Sequence, residues 1–421
     1  MNIDQKYIQD KFIEYCEVDT RSYFESETVP TSVGQVELLQ LLKQELIELG
    51  LSQISYSPKD AYLLGKIPAT TSKKVTAIGF VAHVDTADYN SKNIKVQIHK
   101  NYDGTDIRLD KSHVLSSKQF SSLKKVIGHT LLTASGDTLL GADDKAGIAG
   151  ALGMAKYLLS HPEIEHGDIW LAFGPDEEIG KGAARFDVKR FPVEFAYTLD
   201  NGDIGDIAYE TFNAASATVT FAGTVVHPGE AYGLMVNAGL MANEFIAALP
   251  KDFVPEKSKG YDGFYLVTDF SGNVDQAMVN LIIRSFDTKD FLARKQFLKN
   301  LANKIDAKYG KGRVKIEMRD QYKSPGDLIK QNPYVVNLVH HAYKQLNITA
   351  KHIPFRGGTD GDFISEKGIP TPNLFNGGAN FHGPYEYVTI ENMAKLSEVL
   401  VEISKLHVHL NDCRDETPLK R

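Results

Sequence analysis

The sequence predicts an α/β protein in two parts. A larger domain has a mixed sheet flanked by helices, and a smaller four-stranded α+β domain is inserted into it. Three observations predict this. The chain has 421 residues, more than one ordinary hydrophobic core accommodates. Up to residue 212 apolar strands alternate with helical patterns, as in a sheet covered on both faces. Near residue 213 the pattern changes, and "AASATVTFAG" alternates with a period of two, as a half-exposed strand does. The larger domain therefore takes residues 1–212 and 325–421, and the insertion takes 213–324.

Residues 2–16 read as an opening helix. Residues 34–49, "GQVELLQLLKQELIEL", repeat apolar positions at helical spacing and stop at Gly50. "AYLLGKIP" and "VTAIGFVAHVDT" follow, and the second, rich in Val, Ile and Phe, reads as a buried strand. "KAGIAGALGMAKYLLS" is a helix whose small residues permit close packing. "GDIWLAFGPDEEIG" is a strand running into a loop, and "FAYTLDNG" is another strand ending in acid and glycine. The insertion starts with its period-two strand. A helix near 234–248, strands near 261–270 and at 277–286, a helix near 288–308 and a strand at 313–319 complete a βαββαβ unit. After about residue 325 the chain returns to helix and loop, with "IPFRGGTDG" and "NLFNGGANFHG".

Composition excludes several classes of function. Acidic residues outnumber basic ones, 54 against 47, which argues against a nucleic-acid partner because such partners need a basic patch. No run approaches the roughly 18–20 apolar residues of a membrane span. The opening "MNIDQKYIQDKF" lacks the apolar core of a secretory signal. Two cysteines, Cys16 and Cys413, fit a reducing, cytoplasmic setting and leave no disulfide scaffold. Neither lies near the motifs below, so thiol catalysis is not expected.

Acids and histidines gather where the apolar strands end. "GFVAHVDTAD" gives His83 and Asp85, "LLGADDKAG" gives Asp143 and Asp144, and "LAFGPDEEIG" gives Asp176, Glu177 and Glu178. "AYTLDNGDIGD" gives Asp200, Asp203 and Asp206, and "GGANFHGP" gives His382. Ligands of open α/β sheets bind beyond the carboxyl ends of the strands, so these groups converge on one rim if the strands are parallel neighbours. Crowded carboxylates stay ionised only with a counter-charge, and a divalent cation supplies one. Mixed imidazole and carboxylate ligands suit zinc, with cobalt or manganese as substitutes. Each piece alone has a plainer reading: a lone histidine is a satisfied polar residue, and Asp143 with Asp144 complement a helix dipole. Repetition of the pattern after several strands favours the metal site. His99, His113, His129, His161 and His166 lie in polar segments and are expected at the surface; His340, His341, His407 and His409 are not expected to take part.

"HVDT", "LLGADDKAG", "GPDEEIG", "TLDNG", "VHPG", "RGGTDG" and "FHGPYEYV" occur in that order from about residue 80 to 390. Together they resemble the zinc-dependent M20 peptidase family, and within it the tripeptide aminopeptidases. The resemblance implies a zinc-peptidase catalytic domain with an inserted lid, and two Zn2+ per subunit. His83 and Asp200 would bind one zinc, Glu178 and His382 the other, and Asp143 would bridge them. Asp85 would orient the His83 imidazole, and Glu177 would be the general base. Asp144 is not expected to be a ligand, and the 143–144 peptide bond is expected to be cis. The resemblance also implies a homodimer formed through the lid. His227 would help stabilise the carbonyl oxyanion, Asn280 and Arg284 would reach substrate from a lid strand, and Arg356 would grip the peptide's terminal carboxylate. A dipeptidase, carboxypeptidase or N-acyl amidohydrolase of the same family would use the same ligands; the "RGGTDG" and "FHGPYEYV" loops favour tripeptides as substrates.

Overall fold

A computed structural model describes residues 1–410, so Cys413 lies outside the described residues. The chain divides into two compact units. Among the described residues the larger takes 1–209, 325–353 and 359–410; the smaller takes 210–324 and 354–358. Pattern alone keeps 354–358 with the larger domain, because five residues carry no periodicity. Their packing places them with the smaller unit: Arg356 lies over the Phe212 and Phe264 rings.

The larger unit is built on an eight-stranded sheet. Its strands run in the order Ser52–Tyr56, Leu63–Ile67, Ile169–Gly174, Ile78–His83, Phe195–Asn201, Asn373–Phe375, Asp206–Thr211 and Lys351–Phe355. The four from Ile169–Gly174 to Asn373–Phe375 are mutually parallel. Ile78–His83 and Ile169–Gly174 are buried at every position, which is why they read as unbroken apolar runs. Helices at Gln5–Cys16, Val33–Leu49, Ala142–Ser160, Tyr334–Gln345 and Ile390–Leu410 contribute to the cores of this unit. Asp4 caps the first helix by accepting from the Tyr7 amide at 3.0 Å. The second ends at Gly50, whose φ of +86° is the left-handed conformation a C-terminal glycine supplies.

The helix Ala142–Ser160 matters most for the site. Asp143 and Asp144 lie within its bounds but are not helical, and the bond between them is cis. Its Gly147 faces the Phe195–Asn201 strand so closely that a Cβ there would sit 2.5 Å from the Leu199 carbonyl oxygen and 2.3 Å from Asp144 Oδ1. One further expectation fails in this unit. His166 is buried, not at the surface, with Nδ1 2.8 Å from the Gly167 carbonyl oxygen. Its neighbours in sequence are polar, but its backbone pairs with Thr70, which draws it inside.

The smaller unit carries a four-stranded antiparallel sheet in the order Phe264–Gly272, Gln276–Ser285, Asn213–Ala222, Val314–Tyr322. Along Gln276–Ser285 every second residue, from Ala277 to Ser285, is buried. That face packs against the helices Ala238–Ala247 and Thr288–Tyr309, with Phe221, Phe245, Leu281 and Leu298 in the core. The strand and helix order is βαββαβ. Among the described residues no helix is long and apolar enough to cross a membrane.

Candidate active site

The parallel strands deliver their polar ends to one place. His83 is the last residue of its strand and is buried; Asp200 lies at the end of the neighbouring strand. Glu177 and Glu178 follow the Ile169–Gly174 strand through a turn at Asp176. Asp143 enters from the start of its helix, and His382 from the loop after Asn373–Phe375.

Two cups share one carboxylate. His83 Nε2 lies 2.9 Å from Asp143 Oδ1 and 3.5 Å from Asp200 Oδ1. His382 Nε2 lies 3.1 Å from Asp143 Oδ2 and 3.1 Å from Glu178 Oε2. Asp143 thus offers one oxygen to each side. Two atoms bound at about 2.0–2.1 Å to a tetrahedral zinc stand roughly 3.3 Å apart, so these spacings suit such an ion. His83, Asp143 and Glu178 form one group able to hold a cation, and His83, Asp144 and Asp200 another, with ligand atoms within 4.8 Å of one another. Glu178 Oε1 and Asp144 Oδ2 are buried with no hydrogen-bond partner among the described residues. Buried carboxylate oxygens left so are costly, and a bound cation would satisfy them.

Residues 139–405 match peptidase family M20/M25/M40. A protein named peptidase T from Fusobacterium nucleatum is 49% identical over 402 residues, covering 95% of this chain and 97% of that relative. The chain belongs to the M20 peptidase family. The solved structure of aminopeptidase PepT from Bacillus cereus has the same fold, with a TM-score of 0.76 and 24% identity, over 96% of this chain and 99% of that one. A Bacillus subtilis protein described as a dinuclear metal-binding peptidase of the M20 family superposes with a TM-score of 0.66 at 15% identity, covering 96% of this chain and 98% of its own.

Charge in this M20 peptidase is arranged around the shared aspartate. Burial pushes the Asp143 carboxyl up, but bonds from His382 and His83 outweigh it and hold it well below the usual range. Bonds from Asp143 and Glu178 push His382 up to about 11. Burial and then the Asp143 charge lift Glu178 to about 7. Burial and the charges of Asp200, Asp360 and Glu178 push Glu177 well up. Asp200 and Asp144 rise well above the usual carboxyl range, through burial and then the charge of Asp143 and of Asp200 respectively. Several acids at one point of the M20 peptidase are thus short of positive charge.

Asp85 faces both the His83 imidazole and the glutamate turn. Its carboxylate accepts from the backbone amides of Glu177, at 2.9 Å, and Glu178, at 3.1 Å. The His83 Nδ1 atom lies 3.1 Å from the Asp85 carbonyl oxygen and 3.4 Å from its carboxylate. The carbonyl and the carboxylate of Asp85 both face the His83 Nδ1 atom, and the carboxylate also fixes the turn carrying the two glutamates.

Sequence pattern missed several residues that shape the site. Asn373 accepts from the Asp200 amide at 2.9 Å and donates to the Asp200 carbonyl at 3.1 Å. Asn376 donates to Asp144 Oδ1 at 3.2 Å. Asp176, already named among the strand-end acids, is buried and accepts from the Thr31 amide and hydroxyl and from Gln35, a tie to the Val33–Leu49 helix that the pattern did not show. Asp360 accepts from the Tyr62 hydroxyl at 2.9 Å, and Glu386 accepts from three backbone amides. Repetition in the acid-bearing loops was the only available signal, and these residues do not repeat.

The other four candidates belong to the smaller unit. His227 is exposed, and its Nδ1 accepts from the Gly229 amide at 3.1 Å. Asn280 pairs with Thr218 across the sheet and accepts from its hydroxyl at 2.8 Å. Arg284 donates to the carbonyls of Ala215 and Ile283 and lies over the Tyr322 ring. Arg356 was expected in the larger domain with its fork turned to substrate. Instead it donates to the carbonyls of Gly260, at 2.7 Å, and Asp262, at 2.9 Å, and to the Ser258 hydroxyl, at 2.8 Å. A loop rich in carbonyls occupies a guanidinium as readily as a carboxylate does.

Proposed function

We propose that this chain is a dinuclear zinc aminopeptidase that releases the N-terminal residue from tripeptides, with Glu177 as general base. The observation that carries the reading is Asp143, whose two oxygens each face a different histidine and a different second carboxylate. His83 and Asp200 would hold one zinc, His382 and Glu178 the other, and Asp143 both; Co2+ or Mn2+ would substitute. The peptidase T name of the relative from Fusobacterium nucleatum and the dinuclear description of the Bacillus subtilis protein support the substrate and the stoichiometry.

When bound, the cations supply Lewis acidity and lower the pKa of water from about 15.7 toward 7. Glu177 is then free to do proton work, because its neighbour Glu178 is committed to the His382 side of the site. Its carboxylate takes a proton from the water that adds to the peptide carbonyl. It returns that proton to the leaving amine as the C–N bond breaks. The Asp85 carboxylate holds the amides of both glutamates, so base and ligand keep one spacing. His227, Asn280 and Arg284 are proposed to contact the peptide from the smaller unit. Arg356 is the least suited of the four to the terminal carboxylate, since its fork already donates to three oxygens. The protein is proposed to work in the cytoplasm as a homodimer joined through the smaller unit.

A panel of di-, tri- and tetrapeptides, free and N-acetylated, tests the reading. Rapid release of the first residue from free tripeptides alone is expected. Preference for N-acetylated peptides would refute it in favour of an amidohydrolase or carboxypeptidase, and preference for dipeptides in favour of a dipeptidase.

A further inference from the structure

Glu386 lies four residues after His382, is 1% exposed, and has no place in the chemistry above. Its Oε2 accepts from the amides of Leu140 at 2.7 Å and Gly141 at 2.8 Å, and its Oε1 from that of Asp143 at 3.0 Å. A carboxylate has about four lone-pair sites, so three are used on one stretch of backbone. That stretch is the approach to Asp143. Glu386 itself stands on a closed loop: Ala379 and Tyr387 exchange backbone bonds of 2.9 and 3.1 Å, and Asn380 donates to the Tyr385 carbonyl at 3.1 Å. His382 lies within that loop, and Tyr387 continues into the strand Tyr387–Thr389, paired with Leu131–Thr133. The loop bearing His382 and the turn bearing Asp143 are therefore bound to each other through one side chain. His83 meets Asp143 directly, Nε2 to Oδ1 at 2.9 Å, and its own position is fixed by its strand.

We propose that Glu386 is a positioning residue that fixes the Asp143 turn against the His382 loop, so that the cup formed by His382, Glu178 and Asp143 depends on it at two of its residues and the cup formed by His83 and Asp200 only through the shared Asp143. The proposal rests on the dinuclear reading. Glu386 touches neither substrate nor cation; it acts through the Asp143 backbone. A glutamine at 386 keeps the shape but turns an NH2 group toward at least one backbone N–H, so one bond is lost and a donor faces a donor.

The test is Glu386→Gln in the full-length chain, with two readouts. Calorimetric titration of Co2+ into chelated protein is expected to show one equivalent weakened roughly 10–100-fold, the usual effect of losing a group that orients a ligand, and the other, held mainly by His83 and Asp200, weakened less. Amide hydrogen exchange of the 139–144 segment, measured without cation, is expected to speed up while the Ile78–His83 strand stays protected. Equal affinity at both equivalents, an equal loss at both, or faster exchange with no change in affinity would each overturn the proposal. A wild-type chain that binds only one equivalent refutes the dinuclear reading instead, and the exchange difference then decides the role of Glu386 alone. Glu386→Asp, which keeps both oxygens but withdraws them by one methylene, carries the same test if the glutamine variant fails to fold.

Discussion

The two units treat charge in opposite ways. The larger buries His83, Asp85, Asp144, Lys145, Asp176, Asp360 and Glu386, most of them around one rim. In the smaller unit, among the described residues, Arg294 is the one buried charged side chain, and it bonds to Asp290 at 2.6 Å. The smaller unit is an economical fold: one sheet face buried under two helices and polar groups turned to water. The larger tolerates a set of buried acids that no packing argument favours, since isolated buried charges are costly. A protein keeps such a set where chemistry requires it, so the contrast locates the chemistry in the larger unit.

Four experiments would break or sharpen that contrast. Thorough chelation should remove all peptidase activity, and zinc or cobalt should restore it; activity indifferent to metal removal would leave the buried acids of the larger unit without a purpose. Glu177→Gln should lower kcat by roughly 10²–10⁴-fold with both cations still bound, as metal analysis of the purified variant would show. Near-normal turnover would end the assignment of the base. Leu281→Ala, at a position 1% exposed in the core of the smaller unit, should cost about 2–5 kcal/mol in a urea melt without changing the cation stoichiometry. Loss of cations in that variant would break the contrast, because it would make the metal site depend on the core of the smaller unit. Lys308→Ala removes an exposed lysine that bonds Glu244 at 2.8 and 2.9 Å; no measurable shift in melting is expected, because water screens such pairs. A large shift would show that surface charge matters more to the smaller unit than its core.

The sequence pattern was most informative where structure is local. Ile78–His83 and Ile169–Gly174 are buried on both faces and so read as continuous apolar runs, each followed by the acids that the parallel sheet gathers. The period-two strand at Asn213–Ala222 was equally plain, because over most of its length one face is core and the other is not. Residues defined by what they meet across the fold were hidden. Glu386 lies within "FHGPYEYV", but that stretch does not show its role, because its three amide partners are about 245 positions away in the chain. The resemblance gave Asp85 to the imidazole, which its carboxylate does face, but could not show that the same carboxylate holds a turn more than ninety residues on. Residues 354–358 lie with the smaller unit through contacts that no periodicity encodes, among them the Arg356 fork and the Phe212 amide donating to the Gly357 carbonyl at 3.3 Å.

Gly147 has a consequence of its own. The missing methyl group lets the helix that begins at Asp143 settle against the strand that ends near Asp200, with Leu199 directly beneath. The distance between these two acids is therefore gauged several residues away, by an empty volume of one carbon atom. A methyl placed there would act as a wedge, prying helix from strand while leaving every acid and histidine of the site in the sequence.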